Sequence, residues 1–429
     1  MSFFPEVTST VKFEGLNSSN PFAFKYYDAN KVVAGKSMAD HLRFAVCYWH
    51  TFCGNGSDPF GAPTLIRPWA NDEQKLDAAF EFFTKLGVPY WCFHDLDIAS
   101  EGASLSEFRG NLAKIVKLAE QKQKDTGMKL LWGTANLFSH PRYQAGASTN
   151  PDPHVFAYAL AQMKGAMDAT QALGGEGYVF WGGREGYDTL LNTDMQRERE
   201  QFAKFLWIAI DYAKEIGFKG QFYIEPKPKE PTTHQYDSNS AACLNFLREF
   251  GLMDHLKLNI ETNHATLAGL TMRHELQVAR AAGALGSIDA NRGDELLGWD
   301  TDQFPTNLYL AAEVMTEVLA MGGFTTGGLN FDAKVRRQSI ETADLFHAHV
   351  GAMDVFALGL LMALEAEKDG RLASFVADRY AGWNSVDFTS IHDGDKYLAA
   401  HGEPTPKSGR QELLENIWND VLIKTIRSL

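Results

Sequence analysis

The chain has 429 residues and a formal net charge of −14, from 40 Lys plus Arg against 54 Asp plus Glu. So acidic a chain offers no positive surface for a phosphate backbone, which argues against a nucleic-acid partner. Its hydrophobic fraction of 45% and aromatic fraction of 12% exclude a disordered chain. The four cysteines form no Cys-x-x-Cys pair, and neither a signal peptide nor an apolar run of about 18 residues is visible. We therefore expect a cytoplasmic protein with buried, reduced thiols and no membrane segment.

Eight short apolar runs, rich in β-branched and aromatic residues, recur along the chain and are predicted to be strands. Most of them carry apolar side chains on both faces, as parallel strands require. The predicted strands are residues 43–50, 90–95, 130–136, 178–183, 222–226, 256–261, 285–291 and 327–332.

Segments with apolar residues at helical spacing separate most of these strands. They are residues 72–85, 104–123, 154–173, 195–216 and 241–250. Alternation of eight strands with helices favours the α/β class and a (β/α)₈ TIM barrel over an open sheet. We predict an N-terminal extension over residues 1–40, a catalytic barrel over 41–340, and a C-terminal helical arm for oligomerisation over 341–429.

Polar side chains end nearly every predicted strand, which is where barrel enzymes carry their chemistry. Glu261 is followed three residues later by His264, and Asp300 and Asp302 share a loop. The full set of carboxylates and imidazole is Glu225, Glu261, His264, Asp289, Asp300, Asp302 and Asp332. Oxygen-rich sets of this kind suit hard divalent ions such as Mg²⁺ or Mn²⁺.

The charge of this set predicts more than one metal ion. Six ionised carboxylates in one barrel mouth need counter-ions, which two divalent ions and Lys227 would supply. The Glu-x-x-His pattern also occurs in helical di-iron proteins, but those need it twice, and here it occurs once. The segment Gly35-Lys36-Ser37 lacks the first glycine of a P-loop, and no Gly-x-Gly-x-x-Gly stretch supports a dinucleotide site.

His94 is the strongest candidate for acid–base chemistry. Asp95 and Asp97 follow it closely, and a carboxylate can fix the tautomer of an imidazole and raise its basicity. Spacing alone leaves a structural role equally open. His50 and His140 lie among aromatic and proline residues and are interpreted as structural histidines.

Aromatic residues crowd the same strand ends. Trp91 and Trp132 are interpreted as core residues, whereas Trp49, Phe138 and Trp181 could stack on the apolar face of a sugar ring. Flat aromatic walls beside many carboxylates suggest a small polyol or carbohydrate substrate.

Seven long motifs, in chain order, resemble the xylose isomerase family in its longer bacterial type, class II. The motifs are Phe-His94-Asp-Leu-Asp97-Ile, Trp-Gly-Thr134-Ala-Asn-Leu-Phe138-Ser-His-Pro, Val-Phe-Trp181-Gly-Gly-Arg-Glu-Gly-Tyr, Ile-Glu225-Pro-Lys227-Pro-Lys-Glu-Pro, Asn-Ile-Glu261-Thr-Asn-His264-Ala-Thr, Gly-Trp-Asp300-Thr-Asp302-Gln-Phe-Pro and Gly-Leu-Asn-Phe-Asp332-Ala-Lys. The resemblance extends over essentially the whole chain.

The resemblance implies a metal-dependent aldose–ketose isomerase that converts D-xylose to D-xylulose, with D-glucose to D-fructose as a side activity. It also implies two divalent ions per subunit, Mg²⁺ with Mn²⁺ or Co²⁺ as alternatives, and Glu261 as a bridging ligand. The first ion would be held by Glu225, Glu261, Asp289 and Asp332, and the second by Glu261, His264, Asp300 and Asp302.

The same resemblance assigns the remaining roles. His94, oriented by Asp97, would assist opening of the sugar ring, and Lys227 would stabilise the C1 oxygen. The implied substrate-binding residues are Trp49, Phe60, Thr134, Phe138 and Trp181. Phe60 would be lent by a neighbouring subunit of a homotetramer, in which the C-terminal arm embraces another subunit.

Two positions depart from the family pattern: Leu270 stands where His is frequent, and Ser100 where Pro is usual. Neither is an implied metal ligand. Isomerisation could proceed through an ene-diol formed by a general base or through a direct 1,2-hydride shift, and two metals with a lysine favour the shift. A non-catalytic sugar-binding barrel, and an endonuclease or epimerase on the same scaffold, are the competing functions.

Overall fold

The structure is a computed structural model that describes residues 2–429. Eight parallel strands close into one barrel, in which each strand pairs with the next strand along the chain. The strands are β1 (Phe44–Cys47), β2 (Tyr90–His94), β3 (Lys129–Thr134), β4 (Gly177–Trp181), β5 (Gln221–Glu225), β6 (Leu256–Glu261), β7 (Leu285–Asp289) and β8 (Leu329–Phe331). The α/β class and the TIM barrel are therefore confirmed.

A long helix follows each barrel strand. These helices are α1 (Asp72–Leu86), α2 (Leu105–Thr126), α3 (Pro153–Ala172), α4 (Met195–Ile216), α5 (Ser240–Glu249), α6 (Met272–Ala281), α7 (Leu308–Ala320) and α8 (Asp344–Asp369). They cover the outer face of the barrel, so the strands are buried on both faces, as their apolar sequences predict.

Capping residues determine where these helices begin and end. The side chain of Asn71 accepts a hydrogen bond from the Gln74 N–H before α1, and that of Ser104 accepts one from the Glu107 N–H before α2. Gly87 ends α1 with a φ of 75°, a left-handed conformation that glycine adopts without steric cost.

All the predicted strands coincide with observed ones, but several are shorter than predicted. The predicted strand 43–50 ends at Cys47, after which the chain turns into a π-helix at Trp49–Cys53. The predicted strand 285–291 likewise ends at Asp289. In both places a polar residue that follows the strand, His50 or Asn291, leaves the sheet and contacts carboxylates of the barrel mouth. Cys53 in this π-helix is exposed, contrary to the expectation of four buried thiols, while Cys47, Cys92 and Cys243 are buried.

Helix α8 is the one helix among residues 2–429 that is long and apolar enough to span a membrane. Most of its apolar window, 72%, is buried inside the protein, and it packs along α7. Both observations are typical of the core helix of a globular protein.

Four further α-helices follow α8: α9 (Arg371–Tyr380), α10 (Phe388–Ile391), α11 (Gly394–His401) and α12 (Gln411–Ser428). A 3₁₀ helix over Ala381–Ser385 lies between α9 and α10. Helix α12 returns to pack on α8 through Val421 and Leu422, whereas Trp383 and Phe388 remain exposed.

At the other end of the chain, the Asp354 carboxylate on α8 accepts hydrogen bonds from the backbone N–H groups of Lys25, Tyr26 and Tyr27. The predicted boundaries at residues 40 and 340 stay predictions, and the first residue of the N-terminal extension lies outside the described residues.

Candidate active site

The carboxyl ends of the barrel strands surround a cavity of about 280 Å³. This is the end of a (β/α)₈ barrel at which active sites lie. Most of the site residues proposed from the sequence line it, namely Trp49, His94, Thr134, Phe138, Trp181, Glu225, Lys227, Glu261, His264, Asp300, Asp302 and Asp332.

Three proposed residues lie outside this lining. Asp289 is fully buried at the end of β7, and Asp97 stands behind His94. The ring of Phe60 is 85% exposed and faces Trp299, with 6.2 Å between ring centroids.

His94 ends β2, and Asp97 lies one helical turn further on, in the short helix Asp95–Ile98. The His94 Nδ1 donates a hydrogen bond to Asp97 Oδ2 over 2.7 Å. This contact fixes the tautomer, so that Nε2 carries the lone pair of the neutral ring. The geometry therefore supports Asp97 as the orienting carboxylate.

Asp95 does not share that role. Its carboxylate turns into the wall of the barrel and accepts hydrogen bonds from the Asn136 N–H (2.8 Å) and the Gln162 side-chain amide (2.9 Å). Burial raises its pKa to about 6 despite these bonds. Asp95 therefore has a structural role, although it is next to His94 in the sequence.

The carboxylates form overlapping groups whose ligand atoms lie within 4.8 Å of one another. One group is Glu225, Glu261, Asp289 and Asp332, which is the set implied for the first metal. Another is Glu261, Asp300 and Asp302. The Nε2 of His264 joins this second group, 3.2 Å from Glu261 Oε2 and 3.1 Å from Asp300 Oδ2. Glu261 belongs to both groups, as a bridging ligand must.

Crowding and burial of like charges shift the acid–base equilibria of the first group. Burial raises the pKa values of Glu225 and Glu261 well above the usual range, and neighbouring carboxylates add to the effect. Burial and the charge of Asp332 raise the pKa of Asp289 to about 8. The protein alone therefore does not balance the negative charge of this group.

Two lysine side chains lie beside the second group. Lys227 Nζ lies 2.9 Å from Asp300 Oδ2, and Lys334 Nζ lies 2.8 Å from Asp302 Oδ2. Burial opposes ionisation of Asp302, but His50 and Lys334 outweigh it and hold its pKa well below the usual range. Lys227 is buried as well, and Asp300 keeps its pKa above the ordinary value.

The donor set fits divalent metal ions. Asp300 Oδ1 is buried without a hydrogen-bond partner among the described residues, an arrangement that is costly unless a ligand satisfies it. The Asn259 amide donates to Glu225 (2.9 Å) and to Asp289 (2.8 Å), and so fixes both carboxylates from behind. Outer contacts of this kind orient metal ligands in proteins. All the candidate ligands are oxygen or imidazole nitrogen, which suits hard cations.

Aromatic rings form the opposite wall of the cavity. The rings of Phe138 and Trp181 meet edge to face, with 4.4 Å between centroids, and Trp49 meets His94 at 4.4 Å. Lys227 Nζ lies 5.3 Å from the centre of the Trp181 ring. Trp132 is buried, as predicted, but it also contributes to the lining.

Besides Trp132, four residues that line the cavity were not proposed from the sequence: His50, Val179, Glu230 and Lys334. Glu230 and Lys334 follow Lys227 and Asp332 by three and two residues, so their spacing from proposed site residues was a usable signal. His50 was interpreted as structural. In the structure its Nε2 lies within 3.3 Å of both Asp302 and Asp332.

Together the fold and this site define a (β/α)₈ barrel protein with an acidic, metal-binding type of centre and an aromatic wall. Residues 98–296 match the family model described as "Xylose isomerase-like TIM barrel", and residues 376–422 match the model "XylA2 C-terminal domain". The xylose isomerase of Actinobacillus succinogenes is 57% identical over 427 residues, which cover 96% of this chain and 98% of the relative. Xylose isomerase 1 of Xanthomonas campestris pv. campestris is 57% identical over 436 residues, covering 98% of each chain. The chain belongs to the xylose isomerase family.

A solved structure of an L-ribulose 3-epimerase shares the fold at a TM-score of 0.52 and 15% identity. The match covers 76% of this chain and 97% of that one, and at this identity it bears on the fold alone.

Proposed function

We propose that this protein is a metal-dependent aldose–ketose isomerase that converts D-xylose to D-xylulose, with D-glucose to D-fructose as a side activity. The observation that carries the proposal is the pair of carboxylate groups joined by Glu261 at the mouth of the barrel. Membership of the xylose isomerase family supports the choice of substrate and reaction.

We propose two divalent ions per subunit, with Mg²⁺ as the principal ion and Mn²⁺ or Co²⁺ as alternatives. Glu225, Glu261, Asp289 and Asp332 would hold one ion, and Glu261, His264, Asp300 and Asp302 the other. When bound, such ions supply Lewis-acid polarisation of substrate oxygens.

The protein's own groups are arranged around a small polyol. His94, held by Asp97, has Nε2 available to move a proton between the ring oxygen and the C1 hydroxyl during ring opening. Lys227 brings an ammonium group into the cavity, where it would stabilise negative charge on the C1 oxygen. Phe138 and Trp181 exclude water and present flat faces to the carbon chain.

We propose a 1,2-hydride shift for the hydrogen transfer. None of these side-chain roles requires a base at C2, and a dry aromatic wall suits a hydrogen that does not exchange with solvent. Transfer through an ene-diol would instead place the C2 hydrogen on a base as a proton, from which it could exchange with water.

We also propose a cytoplasmic homotetramer. The exposed ring of Phe60 and the exposed apolar side chains of the C-terminal helices, among them Trp383 and Phe388, suit contacts between subunits. Phe60 would complete the sugar site of a neighbouring subunit, and the arm over residues 341–429 would contribute to the contact.

The test uses NMR to identify the product that the protein forms from D-xylose with Mg²⁺. The product is measured before and after treatment with a chelator. The proposal predicts D-xylulose that disappears on chelation and returns with Mg²⁺. Absence of a chelator-sensitive ketose would reject the isomerase, and a C3-epimerised sugar would assign the site to an epimerase instead.

A further inference from the structure

His50 lies between the two carboxylate groups and contacts one member of each. Its Nε2 is 3.0 Å from Asp332 Oδ1 and 3.3 Å from Asp302 Oδ2. Asp332 belongs to the first group, with Asp289, and Asp302 belongs to the second, with Asp300. A single imidazole nitrogen therefore touches both halves of the proposed two-metal site.

These contacts use only one oxygen of each carboxylate. Asp332 Oδ1 also accepts a hydrogen bond from Trp49 Nε1 (2.8 Å), and Asp302 Oδ2 also pairs with Lys334 Nζ (2.8 Å). The remaining oxygen of Asp302 has one long contact, to the Asn291 amide at 3.5 Å. The N–H groups of Trp49, Lys334 and His50 thus lie against one oxygen of each carboxylate, and the other oxygen is left for a ligand.

His50, Asp302 and Asp332 could also be taken for a cation site of their own, since their atoms lie within 4.8 Å of one another. The Lys334 ammonium argues against that. It touches the same Asp302 oxygen as His50, so a further cation there would meet a positive charge at close range. A contact of the His50 N–H with both carboxylates, at ion-pair distance, fits these neighbours.

The backbone holds the imidazole in this place. Strand β1 ends at Cys47, and the π-helix Trp49–Cys53 turns two adjacent side chains, Trp49 and His50, over the mouth of the barrel. Trp49 packs its ring against His94, with 4.4 Å between ring centroids. The two donors that reach Asp332 are therefore carried on one turn that is anchored in the site.

We propose that His50 is a positioning residue that couples the two divalent-cation sites by orienting Asp302 and Asp332 together. The proposal rests on the proposed function in one respect, the presence of two metal ions. Outer contacts to metal ligands typically change metal affinity by about 10-fold to 100-fold when removed. Because His50 contacts one ligand of each group, its loss should weaken the binding of both ions.

The experiment titrates chelator-treated protein with Mn²⁺, following binding by calorimetry and free Mn²⁺ by electron paramagnetic resonance. His50→Phe keeps a ring but removes the N–H group. It should raise the dissociation constants of both ions by about 10-fold or more. His50→Gln, which offers an amide N–H near the place of Nε2, should restore most of the affinity. His140→Phe is the matched control, since His140 lies outside the cavity lining, and it should bind both ions as the wild type does.

Circular dichroism of the metal-free variants separates positioning from folding. Equal thermal stability of metal-free His50→Phe and wild type, with weakened binding of both ions, supports the proposal. Unchanged affinities, or weakening of one ion alone, overturn it. If His50→Phe does not fold, His50→Asn replaces it, because its amide nitrogen lies at the level of Nδ1 and not of Nε2, and the same two outcomes decide. Wild-type protein that fails to bind two ions would contradict the proposed function itself, which distinguishes the two failures.

Discussion

His349 gives a quantitative test of the packing behind the cavity. Its side chain is fully buried on α8, where Nδ1 donates to the Leu345 carbonyl over 2.7 Å. The rings of Phe304 and Phe331 lie 4.8 and 5.8 Å away, and Phe331 directly precedes Asp332 of the site. Burial lowers the pKa of His349 from 6.5 to about 4, because a buried imidazolium loses its hydration.

The sign of the resulting pH dependence follows from proton uptake. As the pH falls below 6.5, the unfolded chain protonates this histidine, whereas the folded protein does so only near pH 4. The stability that neutral His349 contributes is thus present well above pH 6.5 and is lost progressively as the pH falls from 6.5 to about 4. Between about pH 7.5 and about pH 4.5 the loss amounts to about 2 to 3 kcal/mol. The stability of His349→Phe should not show that loss. Any other effect of the substitution on stability should be the same at every pH.

The assay is urea unfolding of wild type and His349→Phe across this pH range at one fixed Mg²⁺ concentration. The difference in unfolding free energy between the two proteins should change by about 2 to 3 kcal/mol over this range. His347 is exposed on the same helix, so His347→Phe is the control and should follow the wild type. Parallel pH profiles for wild type and His349→Phe would refute the reasoning.

Three further predictions concern the proposed site. Glu261→Gln should abolish activity and remove the stabilisation by Mg²⁺, because Glu261 belongs to both carboxylate groups. Thermal melts with and without Mg²⁺ measure this, and a preserved shift in melting temperature would contradict the bridging role. His94→Asn should bind Mn²⁺ normally but turn over cyclic D-xylose about 10²-fold to 10⁴-fold more slowly, and a normal rate would exclude His94 from ring opening. Phe60→Ala should raise KM for D-xylose with little change in the metal affinities, and an unaltered KM would mean that this ring does not reach a sugar site.

Much of the site could be predicted from the sequence because parallel strands end at one edge of a barrel. Glu225, Glu261 and Asp289 each end a strand, so their side chains had to meet once the strand pattern was recognised. The spacing of His94 and Asp97 likewise predicts contact, since the chain enters a helix between them.

The sequence could not predict contacts that depend on distant packing. Asp95 turns away from His94 because Gln162, 67 residues later on α3, offers its amide inside the barrel wall. His50 reaches the carboxylates only because the chain leaves β1 in a π-helix, which has no periodicity that a short segment reveals. Asp302 adopts a positive φ of 42°, a conformation that a sequence pattern does not disclose at an aspartate.

The central claim is best tested by following the hydrogen at C2 of D-xylose. The protein with Mg²⁺ is incubated with D-xylose tritiated at C2, and the label is measured in the product and in water. Metal-dependent isomerisation by hydride shift predicts D-xylulose that retains the tritium at C1, with none released and no ketose after chelation. Extensive release of tritium into water would contradict the hydride shift, and the absence of labelled ketose would contradict the isomerase itself.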